Sequence, residues 1–168
     1  RPAIVRLRDR LCAAAELPAD AIDAVVVGVP GVVEPEGDVR LALNIHGLEG
    51  RRFAAELEPL LGHAVTVEND VNLAALGEGR EGVAQGVRNF VMLSIGTGLG
   101  AGLVLQGELQ RGQHGAAGEL DYIRTGLEQE LDPSAESFSA LAAERAAGAG
   151  TQLAPPYDPR AIFAAARA

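Results

Sequence analysis

Apolar residues recur along this chain with two different periods. Residues 2–16 repeat them every three to four positions, which predicts a helix that ends before Pro18 and carries arginines opposite one apolar face: Ile4, Leu7, Leu11 and Ala14. Residues 21–29 instead form a nearly continuous run of apolar, mostly β-branched side chains. Such a run is typical of a strand buried on both faces, within a sheet that helices cover.

The central part of the chain repeats this alternation. Residues 51–61 predict a short helix that ends at Gly62, with its inward positions at Phe53, Leu57, Leu60 and Leu61. Residues 64–67 predict the next strand, and residues 71–78 predict a helix capped by Asn69 or Asp70. Cys12, which lies among alanines and leucines, is expected to be a small core residue.

A glycine-rich stretch, residues 94–102, interrupts two further apolar runs. Residues 90–93 predict a buried strand before it and residues 103–105 predict a strand after it. Gln106-Gly107 is a two-residue hairpin turn signal. Strands that alternate with helices and then form an antiparallel pair indicate an α/β fold, with a mixed sheet flanked by helices. In such sheets functional residues gather beyond the carboxyl ends of the strands, where Pro30-Gly31, Asn69-Asp70 and the Gly96–Gly98 turn are expected.

The last third of the chain is richer in loops. Residues 120–123 predict a short strand, and residues 134–147 and 159–167 predict helices, the first beginning near Ser134. No repeat or compositional boundary divides the sequence, so residues 1–168 are predicted to form a single domain in which residues 124–168 are a helical extension.

The glycine-rich stretch allows three interpretations. A Walker A loop is excluded because that motif needs a lysine and the chain has none. Gly96, Gly98 and Ala101 match a dinucleotide fingerprint literally, but that fingerprint must open a helix and here a strand follows. The glycines could also serve only close packing between strands. A turn whose amides and Thr97 hydroxyl hold a phosphate is the interpretation that the neighbouring residues favour.

Composition narrows the possible functions. The net charge of −9 and the pI near 4.8 make the chain a poor ligand for nucleic acid, so any DNA contact would need a module outside these residues. One cysteine excludes an internal disulfide framework. No apolar run reaches the ~18–20 residues of a membrane span and no signal-peptide pattern opens the chain, so we expect a cytoplasmic protein that does not enter a membrane.

Five motifs follow one another along the chain: Gly28-Val29-Pro30-Gly31, Asn44-Ile45-His46-Gly47, Glu68-Asn69-Asp70-Val71-Asn72-Leu73-Ala74-Ala75, Gly96-Thr97-Gly98-Leu99-Gly100 and Ala117-Gly118-Glu119. Together and in this order they resemble the ROK family of bacterial sugar-responsive repressors, uncharacterised reading frames and sugar kinases. The resemblance covers residues 22–123 well. It implies an actin-like ATPase fold, of the ribonuclease H-like kind, and a chain that is a fragment of a two-domain protein.

The resemblance also implies residue roles. In the family's kinases the aspartate of the third motif accepts the proton of the sugar hydroxyl, which carries over to Asp70 as the catalytic residue. Its alternative is a purely structural N-cap. The sugar-binding residues would be Gly31, Asn44, Asn69, Asp70, Glu119 and Tyr122, and Gly96, Thr97 and Gly98 would hold nucleotide phosphates. ATP would bring Mg²⁺, held mainly by phosphate and water. Members of this family are commonly homodimers, and we expect the same here.

The sequence differs from the motifs of the family's kinases at two places, and both differences bear on the predicted function. The family's kinases usually have Gly-Glu-Ile-Gly-His at the last motif, where this chain has Gly118-Glu119-Leu120-Asp121-Tyr122, so a tyrosine replaces the histidine that binds zinc and sugar. The cysteine-rich zinc loop is missing too, since residues 125–139 contain no cysteine, and a zinc site of the Cys₃His type cannot form. Tyr122 can still offer a hydroxyl to a sugar.

Two hypotheses from different classes follow, and a third is blander. Loss of the zinc motif favours the sugar-sensing domain of a transcriptional regulator, the first interpretation. Retention of Asp70, Glu119 and the Gly96–Gly98 turn favours the second, an ATP-dependent sugar kinase without zinc. The third is a degenerate scaffold that neither binds nor phosphorylates sugar. The identity of the sugar does not follow from these residues.

Overall fold

The structure is a computed structural model that describes residues 2–42, 45–120, 134–149, 154–155 and 157–165. Its helices are α1 (Ala3–Ala14), α2 (Phe53–Leu61), α3 (Asp70–Glu81), α4 (Ala135–Ala149) and α5 (Pro159–Ala165). Its strands are β1 (Val25–Val29), β2 (Val32–Val33), β3 (Val39–Arg40), β4 (Val65–Asn69), β5 (Phe90–Ile95), β6 (Leu99–Leu105) and β7 (Glu108–Leu109). The predicted strand at 120–123 lies outside the described residues except for Leu120.

Parallel and antiparallel pairs both occur, as the mixed architecture requires. β1 pairs in parallel with β4, and the short strands β2 and β3 form an antiparallel pair. β5, β6 and β7 form an antiparallel sheet in that order. The described strands therefore make three small sheets rather than a single one, and helices link them.

Helix α3 joins the parallel pair to the antiparallel sheet. It follows β4 directly and packs against β5 and β6 as well as β1 and β4. Its approach to β6 is close because β6 carries glycines where the helix lies: a Cβ built on Gly102 would be 2.4 Å from the Ala75 Cβ, and one on Gly100 would be 3.1 Å from Val71 Cγ2. These two glycines serve close packing.

The apolar core lies on one side of β1 and β4. The core receives Val25 and Val27 of β1, which pack against the cluster that contains Leu57 and Leu61 of α2. It also receives Val29, whose cluster is contacted by Phe53 of α2. The predicted burial of this strand on both faces is wrong, because alternate residues face away and Val26 is 54% exposed. The strand is also shorter than predicted, because it begins only at Val25. Residue 21 ends a 3₁₀ turn formed by residues 19–21, and residues 22–24 belong to no strand.

Three further burial predictions are wrong. The strand predicted to be buried at residues 90–93 is exposed on one face, since Val91 is 56% and Leu93 is 60% exposed. Leu60 is 43% exposed, because α2 directs only Leu57 and Leu61 fully into the core. Cys12 is half-buried rather than a core residue. It lies on an apolar groove of about 390 Å³ between α1 and β1, and the predicted apolar face of α1 lines the same groove through Ile4, Leu7 and Leu11.

The predicted turns and caps are confirmed where the structure describes them. Gln106 and Gly107 both have positive φ, 57° and 86°, as a tight hairpin between β6 and β7 requires. Gly62 ends α2 in the left-handed conformation. The Ser134 hydroxyl accepts from the Ser137 amide at the start of α4, and α4 stacks on α5 through Phe138 and Phe163, whose ring centroids are 5.6 Å apart.

Within the ranges given above, no helix is both long and apolar enough to cross a membrane.

The contact between α3 and β6 gives a first prediction. Gly102→Ala should lower the free energy of unfolding by about 1–3 kcal/mol, because the new methyl group has no room against Ala75. Gly77→Ala is the matched control: it lies within α3 with nothing within 4 Å of a built Cβ, so the substitution should stabilise by roughly 0.5–1 kcal/mol. Urea denaturation measures both, and equal midpoints for the two variants would contradict this view of the interface.

Candidate functional site

The carboxyl ends of β1 and β4 lie side by side. Their register pairs Val29 with Asn69, so the segments that leave the two strands, Pro30-Gly31 and Asn69-Asp70, emerge together. The Asn69 side-chain amide donates to the Gly31 carbonyl at 2.9 Å. Gly31 has a φ of +117°, and a Cβ there would be 2.6 Å from the Arg40 carbonyl oxygen, so a side chain would not fit. The predicted meeting of these two segments is confirmed.

Asn69, not Asp70, caps helix α3. The Asn69 side-chain oxygen accepts from the Asn72 amide at 2.9 Å, which is the N-cap hydrogen bond. Asp70 is the first helical residue, and its exposed carboxylate accepts a single backbone hydrogen bond, from Val71 at 2.9 Å. The capping role that would have explained Asp70 structurally is therefore held by its neighbour.

The Gly96–Gly98 turn connects β5 to β6, as predicted, instead of opening a helix. Packing accounts for some of the glycines in residues 94–102 and not for others. A Cβ on Gly96 would meet nothing within 4 Å, so packing does not require a glycine there, unlike at Gly100 and Gly102. The Gly96 amide donates to the Gly98 carbonyl at 2.9 Å, so it is engaged within the turn. The Gly96 carbonyl accepts from Ala135 at 2.8 Å, which brings the start of α4 to the turn.

The segment 110–119, called here the 110–119 loop, brings Glu119 to the same place. Its last turn is tied to β6, since the Ala101 amide donates to the Gly118 carbonyl at 2.8 Å. Gly118 adopts φ +94°, and a Cβ there would lie 1.8 Å from the Ala101 carbonyl oxygen. Glu119 follows at once, and its Oε1 is 3.4 Å from the Asn69 side-chain nitrogen.

These segments surround one open polar cavity of about 400 Å³. Seven of the predicted site residues line it: Gly31, Asn69, Asp70, Gly96, Thr97, Gly98 and Glu119. Asn44 and Tyr122, the other two predicted sugar-binding residues, lie outside the described residues. The cavity therefore brings the predicted carboxylates, amide and phosphate turn together, while their roles stay predictions. Among the described side chains, no group of three His, Cys, Asp or Glu is placed to hold a metal ion.

Three residues in or near the cavity were not predicted from the sequence to have a part in the site: Leu41, Glu68 and Arg111. Leu41 lines it in a left-handed conformation, φ 56°, which is uncommon for a leucine and which no sequence signal indicated. Glu68 is buried beneath it and forms an ion pair with Arg111 at 2.6 Å. An acidic residue inside the β4 pattern was the available signal for Glu68, since a buried carboxylate needs a partner.

A sequence model of the ROK family matches residues 3–149, most of the chain. The chain belongs to the ROK family. Its α/β elements are those of this family's actin-like ATPase fold, since solved ROK proteins superpose on them.

Relatives in this family include both kinases and a regulator. The N-acetyl-D-glucosamine kinase of Vibrio cholerae is 36% identical over 98 residues, which are 58% of this chain and 32% of that protein. A ROK glucokinase from Streptomyces griseus, solved with glucose and AMPPNP, has a TM-score of 0.62 and 30% identity, covering 89% of this chain and 52% of its own. A ROK transcriptional regulator, a homologue of the E. coli MLC protein, has a TM-score of 0.70 and 27% identity, covering 98% and 45%. The chain matches about a third of the length of its curated relatives.

The capping geometry gives a second prediction. Asn69→Ala should lower the free energy of unfolding by roughly 0.5–2 kcal/mol, because it removes the N-cap of α3. Asp70→Asn, one residue further along, should change it by no more than about 0.5 kcal/mol, since an exposed carboxylate in the first helical turn contributes only a small dipole term. Thermal and urea unfolding of both variants measure the difference. A larger loss of unfolding free energy in Asp70→Asn than in Asn69→Ala would show that Asn69 is not the residue that caps α3.

Proposed function

We propose that this chain forms the sugar-binding part of a ROK-family sugar kinase, with Asp70 as the base. The observation that carries this proposal is that two neighbouring residues at the start of α3 have different positions and contacts. Asn69 supplies the cap, and the exposed Asp70 carboxylate lines the same cavity as the Gly96–Gly98 turn. A carboxylate beside a phosphate-binding turn is the arrangement that transfer of a phosphoryl group to a hydroxyl requires.

The chemistry follows from these placements. Asp70 accepts the proton of a sugar hydroxyl while that oxygen forms a bond to the γ-phosphorus of ATP, and the bond to the β-phosphate oxygen breaks to release ADP. The Thr97 hydroxyl and the backbone amides of Thr97 and Gly98 hold the phosphates, since the Gly96 amide already donates to the Gly98 carbonyl. Mg²⁺ would arrive with ATP, held mainly by phosphate and water, and would supply positive charge against the transferred group.

The sugar is bound near Asn69. Glu119 accepts hydrogen bonds from sugar hydroxyls, and the Gly31 backbone lines the same cavity. Asn69 has less to offer directly, because its amide already serves Asn72, Gly31 and, at a longer distance, Glu119. The family resemblance implies that Asn44 and Tyr122 also bind the sugar.

Relatives support the kinase proposal. The Vibrio cholerae protein is named an N-acetyl-D-glucosamine kinase and the Streptomyces griseus structure holds glucose with AMPPNP, an ATP analogue. A hexose or an N-acetylhexosamine is therefore the substrate class that we propose, with ATP as the phosphoryl donor.

A second candidate function is the sugar-sensing domain of a transcriptional regulator. The observation that favours it is the departure from the kinase pattern at Tyr122 and the cysteine-free segment 125–139. The ROK regulator of similar fold supports the same view. In that case the pocket binds a sugar without turnover, DNA contact belongs to a module outside these residues, and the active form is a cytoplasmic homodimer.

The kinase proposal gives a third prediction. The full-length protein should consume ATP in the presence of one hexose or N-acetylhexosamine from a panel, and Asp70→Asn should lower kcat about 10²–10⁴-fold because the base is lost. Asp23→Asn, an exposed aspartate outside every helix and strand, is the matched control and should retain the parent rate. A coupled assay for ADP gives the rates.

The same experiment separates the two candidates. Absence of turnover, together with a melting temperature that rises with one sugar of the panel, would replace the kinase by the sugar sensor. Absence of both responses would contradict both candidates and leave the degenerate scaffold. Turnover that survives unchanged in Asp70→Asn would remove Asp70 from the reaction.

A further inference from the structure

A buried carboxylate lies beneath the proposed sugar pocket without a part in the chemistry described above. Glu68, the residue before Asn69 in β4, is 6% exposed. Its Oε1 accepts from the Asn69 backbone amide and from the Asn72 side-chain amide, both at 3.0 Å. Its Oε2 accepts from Arg111 Nε at 2.6 Å. Glu68 therefore connects the start of α3, on one side, to the 110–119 loop, on the other.

Arg111 lies at the beginning of the 110–119 loop, and its backbone is hydrogen-bonded to the far end of the same loop. The Arg111 carbonyl accepts from the Ala117 amide at 3.0 Å, so the position of Arg111 determines that of Ala117. Gly118 comes next and is fixed on β6 through Ala101. Glu119 then follows, within 3.4 Å of Asn69. The path from the ion pair to the pocket carboxylate is continuous and short.

We propose that the Glu68–Arg111 ion pair is a positioning device for the sugar pocket: it holds the 110–119 loop so that Glu119 faces Asn69. This inference rests on the proposed sugar site. Glu68 and Arg111 touch neither sugar nor phosphate in this arrangement, and they act through Glu119 and Asn69. Their effect is expected on sugar affinity, while the reactive carboxylate of Asp70 stays in place.

A purely structural ion pair is the alternative, and charge alone does not decide between the two. A buried carboxylate that loses its cationic partner destabilises the fold whatever its neighbours do. The side chain of Arg111 is 52% exposed, so part of the guanidinium faces solvent and could be accommodated without Glu68. The test therefore needs readouts that respond to the place of the loop and not to stability alone.

The fourth prediction concerns Arg111→Met. It should raise the Kd for the sugar, measured by calorimetry with glucose and with N-acetylglucosamine, about ten- to hundredfold, because misplaced binding groups lose affinity steeply. The KM for the sugar should rise in parallel, and kcat at saturating sugar should change less than threefold, roughly, since Asp70 is untouched. Hydrogen exchange of the amides of residues 112–119, measured without sugar, should accelerate.

Matched variants complete the design. Arg80→Met removes an exposed arginine of α3 away from the ion pair and should behave as the parent. Arg111→Lys keeps the charge and should recover part of the affinity, which also provides a variant if Arg111→Met does not fold. Glu68→Gln places an amide against Arg111, so the double variant Glu68→Gln/Arg111→Met should bind no more weakly than the worse single variant, because both remove one interaction.

Several outcomes would overturn the positioning role. Parent-like Kd in Arg111→Met would do so. A raised Kd with unchanged exchange in residues 112–119 would also do so, because the loss of affinity would then arise without any displacement of the loop. Additive losses in the double variant would mean that the two residues act separately. If the parent itself binds neither sugar, the proposed function fails, and unchanged loop exchange in Arg111→Met would then reject the positioning role on its own.

Discussion

The site depends on the side-chain amide of Asn69, which joins three segments that are distant in sequence. Its oxygen accepts from Asn72 and so caps α3, and its nitrogen donates to Gly31 after β1 and towards Glu119 in the 110–119 loop. These partners fix the orientation of the amide, because a carbonyl can only accept and a backbone N–H can only donate. An aspartate could cap the helix equally well but could not donate to Gly31, so the junction requires the amide.

A second constraint is the close approach of backbones around the cavity. Gly31, Gly102 and Gly118 each sit where a Cβ would lie within 2.6 Å of another atom, and together they allow the hairpin after β1, helix α3 and the 110–119 loop to converge. Gly96 is different, because it faces open space at the cavity. Packing against α3 therefore accounts for the glycines at positions 100 and 102 of the glycine-rich stretch, but not for the glycine at position 96.

Burying the polar groups under the cavity removes them from water, which costs free energy, and hydrogen bonds among those groups offset this cost. Glu68 accepts three hydrogen bonds, which compensate for the loss of water around its carboxylate. Asn72, 2% exposed, donates to Glu68, but within the described parts of the chain its side-chain oxygen has no partner. Networks of this kind fix geometry more than they add stability, because each member restricts the orientation of the next. That is the property a pocket for a polar ligand needs.

Local patterns determined much of this protein from the sequence. The periodicity around α1, α2 and α3 and the hairpin signal at Gln106-Gly107 depend only on neighbouring residues, and they predicted the elements. The family and the candidate site residues came from the resemblance that the five motifs carry. Burial was harder to predict. Val26, Leu60 and Cys12 looked like core residues, but their exposure depends on which side of each element another element covers, and a run of apolar residues does not specify that. The choice between Asn69 and Asp70 as the cap, and the pairing of Glu68 with Arg111, 43 residues away, also required the tertiary structure. Such contacts exist only once β1 and β4 align and the 110–119 loop closes over them, because they join groups that the sequence keeps far apart.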